Sequence, residues 1–191
     1  DGVNTATQTF QYDPLNRLVW ADGQNYGTKQ FQYNEIGNII KKDGIDYLYG
    51  ENGVGPHAVT SLNNGTTFTY DKNGNMIARR VNGVLTEYNY DGENRLLIIK
   101  RNGSQIAQYV YDGDGGRTKK IVQGQSSPTT HFIGALSEIN GTRVTDFVYV
   151  GGQRIAGRTG GVPFYYHADH LGGTNVVSDS QGVTKEVVEY Q

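Results

Sequence analysis

Residues 105–120 read Gln-Ile-Ala-Gln-Tyr-Val-Tyr-Asp-Gly-Asp-Gly-Gly-Arg-Thr-Lys-Lys. An alternating run closes on Tyr109-Val-Tyr111. Asp112 and three glycines turn the chain, and Arg117 opens the next run. The same phrase occurs at Phe10-Gln-Tyr12-Asp13-Pro-Leu-Asn-Arg17, Phe31-Gln-Tyr33-Asn34-Glu-Ile-Gly37-Asn38, Phe68-Thr-Tyr70-Asp71-Lys-Asn-Gly74-Asn75 and Tyr88-Asn-Tyr90-Asp91-Gly-Glu-Asn-Arg95. Tyr12 and Tyr33 are 21 residues apart, Tyr70 and Tyr90 are 20 apart, and Tyr90 and Tyr111 are 21 apart. A period this regular marks a repeat architecture, in which each unit is completed by its neighbours.

A second turn signal falls between these phrases. It is Asx-Gly, at Asp22-Gly23, Asp43-Gly44, Asn64-Gly65, Asn82-Gly83, Asn102-Gly103 and Asn140-Gly141. Both residues of such a pair tolerate φ > 0, as a type I′ hairpin turn requires. The intervening segments are strand-length, so the fold class is all-β. The expected architecture is a continuous antiparallel β-hairpin meander, curling or spiralling into a shell-like or solenoid sheet. Roughly fifteen strands at ~4.8 Å spacing would make a sheet on the order of 70 Å wide, too wide to stay open and flat. Alternation puts Tyr88 with Tyr90, and Tyr109 with Tyr111, on one face. From that we expect ladders of tyrosines stacked across neighbouring strands.

The repeats make one domain of residues 1–191. Regular hairpins cover 1–123, irregular ones 124–164, and a distinct motif begins at 165. Two stretches break the period. Residues 50–56 form a glycine-rich loop in place of a Tyr-Asp turn, and residues 124–128 lengthen a connection. The chain begins at Asp1 without a signal-like segment, which suits a processed product or a piece of something longer.

Composition narrows the function. There are 14 tyrosines and 27 glycines in 191 residues, a strand-and-turn composition rather than a disordered one. Net charge is −2 with no clustered basic face, which argues against a nucleic-acid partner. There are no cysteines, so neither disulfides nor a Cys-based zinc site exist. No apolar run is long enough for a spanning helix.

Several residues nevertheless invite a chemical reading. Asp13, Asp71, Asp91 and Asp112 look at first like calcium ligands or catalytic acids. Their recurrence at matching turn positions argues for Asx-turn residues bonding nearby backbone N–H groups, with a weak calcium site as the alternative. His167, Asp169 and His170 resemble a metal or acid/base cluster, but they fall on a strand end and turn closed by Gly172-Gly173. His57 and His131 lie near the irregular loops without evident partners. Three Asn-Gly-Ser/Thr sites, at Asn64, Asn102 and Asn140, match the glycosylation pattern, yet each doubles as a hairpin turn. No catalytic triad order or phosphate loop is present, so the expectation is no enzyme and no cofactor.

The Tyr-Asp phrase (Tyr12-Asp13, Tyr33, Tyr70-Asp71, Tyr90-Asp91, Tyr111-Asp112) resembles the YD repeats of RHS-repeat proteins. The stretch Tyr165-Tyr-His167-Ala-Asp169-His170-Leu171-Gly172-Gly-Thr resembles the opening of the RHS-associated core segment, with Gly173 where Ser is usual. Together they cover nearly the whole sequence. The resemblance implies a spiralling β-ribbon that walls off a cargo, such as a C-terminal toxin in polymorphic toxins and toxin complexes, or forms the extracellular YD shell of teneurins. It implies a bacterial protein, secreted or at the cell surface. The later Asp-Pro-x-Gly-Leu motif that supports self-cleavage in the family is absent from these residues. Expected partners are further RHS repeats and an enclosed C-terminal domain, or other copies joined through open sheet edges as a filament. Glycans are a third class, met by exposed tyrosines in an adhesion module.

Overall fold

The computed structural model describes residues 7–24, 26–169 and 172–188. His170 and Leu171 of the core-like motif lie outside the described residues. Among the described residues, nineteen strands and one short 3-10 turn make up the regular structure, so the all-β hairpin meander is present, with more and shorter strands than the sequence count. The protein divides into two compact units: Asp1–Asn89 with Arg101–Gly103, and Tyr90–Lys100 with Ser104–Gln191.

The first unit holds β1 (Gln8–Tyr12), β2 (Leu18–Gly23), β3 (Gly27–Tyr33), β4 (Ile39–Lys42), β5 (Ile45–Tyr49), β6 (Val59–Leu62), β7 (Thr67–Tyr70), β8 (Met76–Val81) and β9 (Val84–Tyr90), the last residue of which belongs to the second unit. Each pairs antiparallel with the next in sequence. The second unit holds β10 (Leu96–Arg101, less its last residue), β11 (Ser104–Tyr111), β12 (Arg117–Val122), β13 (Thr129–Ile133), β14 (Ser137–Asn140), β15 (Arg143–Val150), β16 (Gln153–Thr159), β17 (Val162–Ala168), β18 (Thr174–Asp179) and β19 (Thr184–Val187). From β11 onward these also pair antiparallel in sequence order.

Three of the six Asx-Gly pairs adopt the expected turn. Asp43, Asn82 and Asn102 have φ of 51°, 48° and 47°, each followed by a glycine near 80°. The other three do not. Asp22 and Gly23 are strand residues opposite Thr28 and Gly27. At Asn64-Gly65 only the glycine has positive φ. Asn140 pairs with Arg143, so that loop is Gly141-Thr142, with φ of 59° at the glycine alone. Register decides these cases: once cross-strand partners fix which residues pair, the turn occupies whatever is left over.

The sheet has little interior. Among the described residues the buried apolar side chains are Ala21 and Ala107, and no large side chain is fully buried. Alternation is nonetheless kept. Phe68 and Tyr70 are half-buried between exposed Thr67 and Thr69, and Tyr109 and Tyr111 flank exposed Val110. Each strand is therefore stabilised by its two neighbours more than by a second layer, as in other quasi-one-dimensional repeat folds.

Candidate functional site

The repeated element with the richest chemistry is the Tyr-Asp turn. In the first copy Asp13 N–H donates to Arg17 O at 2.9 Å, and Asn16 N–H donates to Asp13 O at 2.9 Å. The carboxylate then binds the loop from within: Leu15 and Arg17 N–H both donate to Asp13 Oδ1 at 2.9 Å. The same backbone ring closes Asn34 to Asn38, Asp71 to Asn75, Asp91 to Arg95, Asp112 to Gly116, Asp169 to Gly173 and Asp179 to Val183. The residue before the last in each ring has φ > 0: Asn16 and Asn94, or Gly37, Gly74, Gly115, Gly172 and Gly182. This is a type I turn with a G1 bulge, which admits only glycine or asparagine cheaply at that point. It also explains why the register slips by one at Tyr12, Tyr33, Tyr70 and Tyr111.

The carboxylates accept hydrogen bonds from N–H groups of their own turns. Asp13 and Asp91 are held below the usual carboxylate range chiefly by the backbone N–H groups of Arg17 and Arg95. The Asn75 side-chain amide does most for Asp71, and Lys185 for Asp179. Such groups are anions at neutral pH with their lone pairs occupied, poor bases and poor metal ligands. Among the described residues no three His, Asp or Glu side chains converge on a possible ion.

The tyrosines and arginines act between repeats. Arg17 bonds Asp13 Oδ2 through Nε at 2.7 Å, reaches Asn34 O through Nη1 at 3.1 Å, and lies 4.7 Å over the ring of Tyr33. Arg95 repeats all three contacts in the second unit, on Asp91, on Asp112 O at 3.4 Å, and over Tyr111 at 5.4 Å. The phenol closes the link. Tyr33 donates to Leu18 O at 2.7 Å, Tyr49 to Ile39 O at 2.7 Å, Tyr70 to Val59 O at 2.8 Å and Tyr111 to Leu96 O at 2.9 Å. The acceptors Leu18, Ile39 and Leu96 are the first strand residues after the preceding Tyr-Asp turn, and Val59 is the first after the irregular loop in its place. All four phenols anchor to carbonyls, Tyr33 and Tyr111 lie under guanidinium groups rather than against another ring, and a ring-on-ring contact occurs at Phe164–Tyr166, 5.4 Å apart and edge-on. A cation above the ring and a carbonyl at its tip satisfy Tyr where a face-to-face ladder would leave the hydroxyl idle.

The remaining motif residues have structural partners. Tyr12 lies on β1 with 59% of its surface exposed. Asp112 accepts from Asp114 and Gly116 N–H at 3.1 and 2.7 Å. Asp169 accepts from Gly173 N–H at 2.9 Å, and His167 Nε2 lies 2.7 Å from Ser178 Oγ. In the first unit the irregular loop is pinned by His57, whose Nδ1 lies 2.6 Å from Asn38 Oδ1, and by Glu51, which accepts from Thr60 and Ser61 hydroxyls.

One concavity stands out, in the second unit. Side chains from β13 through β19 line about 550 Å³, among them Thr130, Glu138, Phe147, Phe164, Tyr166 and Glu186. Glu138 on β14 and Glu186 on β19 line the same concavity as Tyr166. Burial pushes Tyr166 up, opposed by Arg154, which lies between Phe147 and Tyr166 at 4.9 and 4.4 Å. Gly157 makes room for Phe164, since an added Cβ would collide with that ring. The described lining has no histidine.

Residues 2–190 match the teneurin YD-shell family model, and the chain belongs to that family. It is also similar to the tRNA3(Ser)-specific nuclease WapA of Bacillus spizizenii, with 31% identity over 137 residues, 66% of this chain and 6% of that protein. The tRNA nuclease WapA of Bacillus subtilis is 31% identical over 136 residues, 67% of this chain and 6% of that protein. The matched region is thus a small part of either relative. Among solved structures, TcdB2-TccC3 aligns over 96% of this chain and 15% of its own, with a TM-score of 0.43 and 15% identity. TcdB2-TccC3-TEV aligns over 96% and 13%, with a TM-score of 0.49 and 16% identity.

Proposed function

We propose that this protein is a non-enzymatic wall segment of a longer secreted or cell-surface YD-repeat protein, and that the wall encloses or displays a cargo domain such as a toxin. The observation that supports it most is the link between repeats. Arg17 to Tyr33 and Arg95 to Tyr111 fasten one repeat to the next, while among the described residues no thick core fastens the sheet to a second layer. A ribbon built this way extends by adding repeats and leaves both faces available to something else. The nuclease named in the Bacillus relatives is a property of proteins of which this region is 6%, and any such activity would then lie outside these residues. No described helix is long and apolar enough to cross a membrane. Limited proteolysis tests the wall. The folded protein should resist digestion far longer than the urea-unfolded one, and equal rates would sink the reading.

A second reading has one observation in its favour. β1 pairs with β2, and all its described residues are exposed, Phe10 by 45% and Tyr12 by 59%. A further repeat or another copy of the protein, as in a filament, would complete it by strand addition. Light scattering at high concentration separates the two, since a strictly monomeric particle rules out copies. Glycan stacking is less favoured, because guanidinium groups already lie over Tyr33 and Tyr111.

A further inference from the structure

Asn-Gly is required by the hairpins and is also the dipeptide most open to self-modification. Glycine has no side chain to shield its amide nitrogen, which attacks the preceding Asn carboxamide. Two of these pairs form a controlled comparison. Asn82-Gly83 and Asn102-Gly103 have nearly the same backbone, with φ of 48° and 80° in one and 47° and 81° in the other. They differ in what holds the asparagine. Asn102 is docked on β9: its Oδ1 accepts from Leu85 N–H at 2.9 Å, and its own N–H donates to Leu85 O at 2.8 Å. Asn82 is exposed, and its side chain makes no hydrogen bond among the described residues. The turn is closed by the Val81–Val84 pair, which leaves the Gly83 N–H unused.

We propose that Asn82 is a site of spontaneous deamidation and backbone isomerisation, and that Asn102 is protected from the same reaction by its docking on Leu85. Base removes the Gly83 amide proton. The nitrogen bonds to Asn82 Cγ, the Cγ–Nδ2 bond breaks, and Nδ2 leaves with a proton as ammonia, giving a cyclic imide. Water then adds to one of the two imide carbonyls. Breaking the new N–Cγ bond yields aspartate at this position. Breaking the original peptide C–N bond yields isoaspartate, in which the backbone runs through Cγ. That product adds one methylene to a two-residue loop and a negative charge beside Arg80, whose Nη1 donates to Gly83 O at 3.3 Å. The Val81–Val84 pair cannot keep its register across the longer loop, so the β8–β9 hairpin is where this chemistry would open the ribbon.

The test is an incubation of the whole protein at mildly alkaline pH, folded and in urea, followed by peptide mapping and isoaspartyl methyltransferase labelling. In the folded protein Asn82 should convert about tenfold faster than Asn102, because releasing Asn102 first breaks two hydrogen bonds. In urea, where docking is gone, the two rates should agree. Equal folded rates, faster conversion at Asn102, or folded protection of both sites while both react in urea would each overturn the proposal.

Discussion

The molecule turns its backbone in two ways, and the two differ in what they depend on. The two-residue tips, such as Asn102-Gly103, depend on backbone conformation: two consecutive residues must hold φ > 0. The Tyr-Asp turns, such as Asp91 to Arg95, depend on side chains. One carboxylate gathers two backbone N–H groups and a guanidinium, and that guanidinium covers the tyrosine of the next repeat. The Asn102-Gly103 tip closes one hairpin and is tied back to the preceding one at Leu85, whereas the Asp91 to Arg95 turn reaches forward to Tyr111 of the following hairpin. The difference teaches that the two kinds of turn join hairpins in opposite directions, Asn102 back to the preceding one and Arg95 forward to the next.

The largest expected effect breaks a tip. Gly103→Val should destabilise the fold by at least ~1–2 kcal/mol, since a β-branched residue strongly resists φ near 80°. An unchanged melting temperature would contradict a conformation-limited turn. Next come the links between repeats. Tyr33→Phe in the first unit and Tyr111→Phe in the second should each cost about 1 kcal/mol, the usual worth of one hydrogen bond. Equal losses in urea titrations would show the same device in both units, and a loss at one alone would break the equivalence.

Within the Tyr-Asp class, Asp91→Ala should lower the melting temperature more than Asp112→Ala. Asp91 holds two backbone N–H groups and Arg95, while Asp112 holds two backbone N–H groups, with Gly116 in the position of the arginine. Equal shifts would show that the guanidinium adds nothing. The smallest effect is a dependence on pH. Asp13, Asp71, Asp91 and Asp179 titrate lower folded than unfolded, so the unfolded state binds protons first as pH falls. Their stabilisation is complete above the ordinary carboxylate value of about 4 and is lost as pH falls through the lower folded values. The melting temperature should be flat from neutral to mildly acidic pH and fall below that. Asp71→Asn should shallow the fall, and a decline already under way near neutral pH would point to other groups.

Much of this was legible in the residues. Tyr111-Asp112 and its copies announce the meander and the turn positions because a turn is a local event, decided by four or five adjacent residues. Asn16 and Asn94 before Arg17 and Arg95 even mark the bulge, since only asparagine or glycine sits easily there. The partners of Tyr33 and Arg17 were not legible, although a signal exists: Arg17 precedes Tyr33 by 16 residues, and Arg95 precedes Tyr111 by the same interval. Nothing in either residue type says that the ring meets a guanidinium rather than another ring.

By itself, then, the sequence determined that the protein is all-β and where most of it turns, because these follow from short-range backbone and side-chain preferences. Only the tertiary structure decided that Asp22-Gly23 is strand, that the tyrosines cap carbonyls 10 to 15 residues back, and that Glu138 and Glu186 face one concavity. Those outcomes depend on cross-strand register and sheet curvature. Both are set by many pairings at once, so no local stretch encodes them alone.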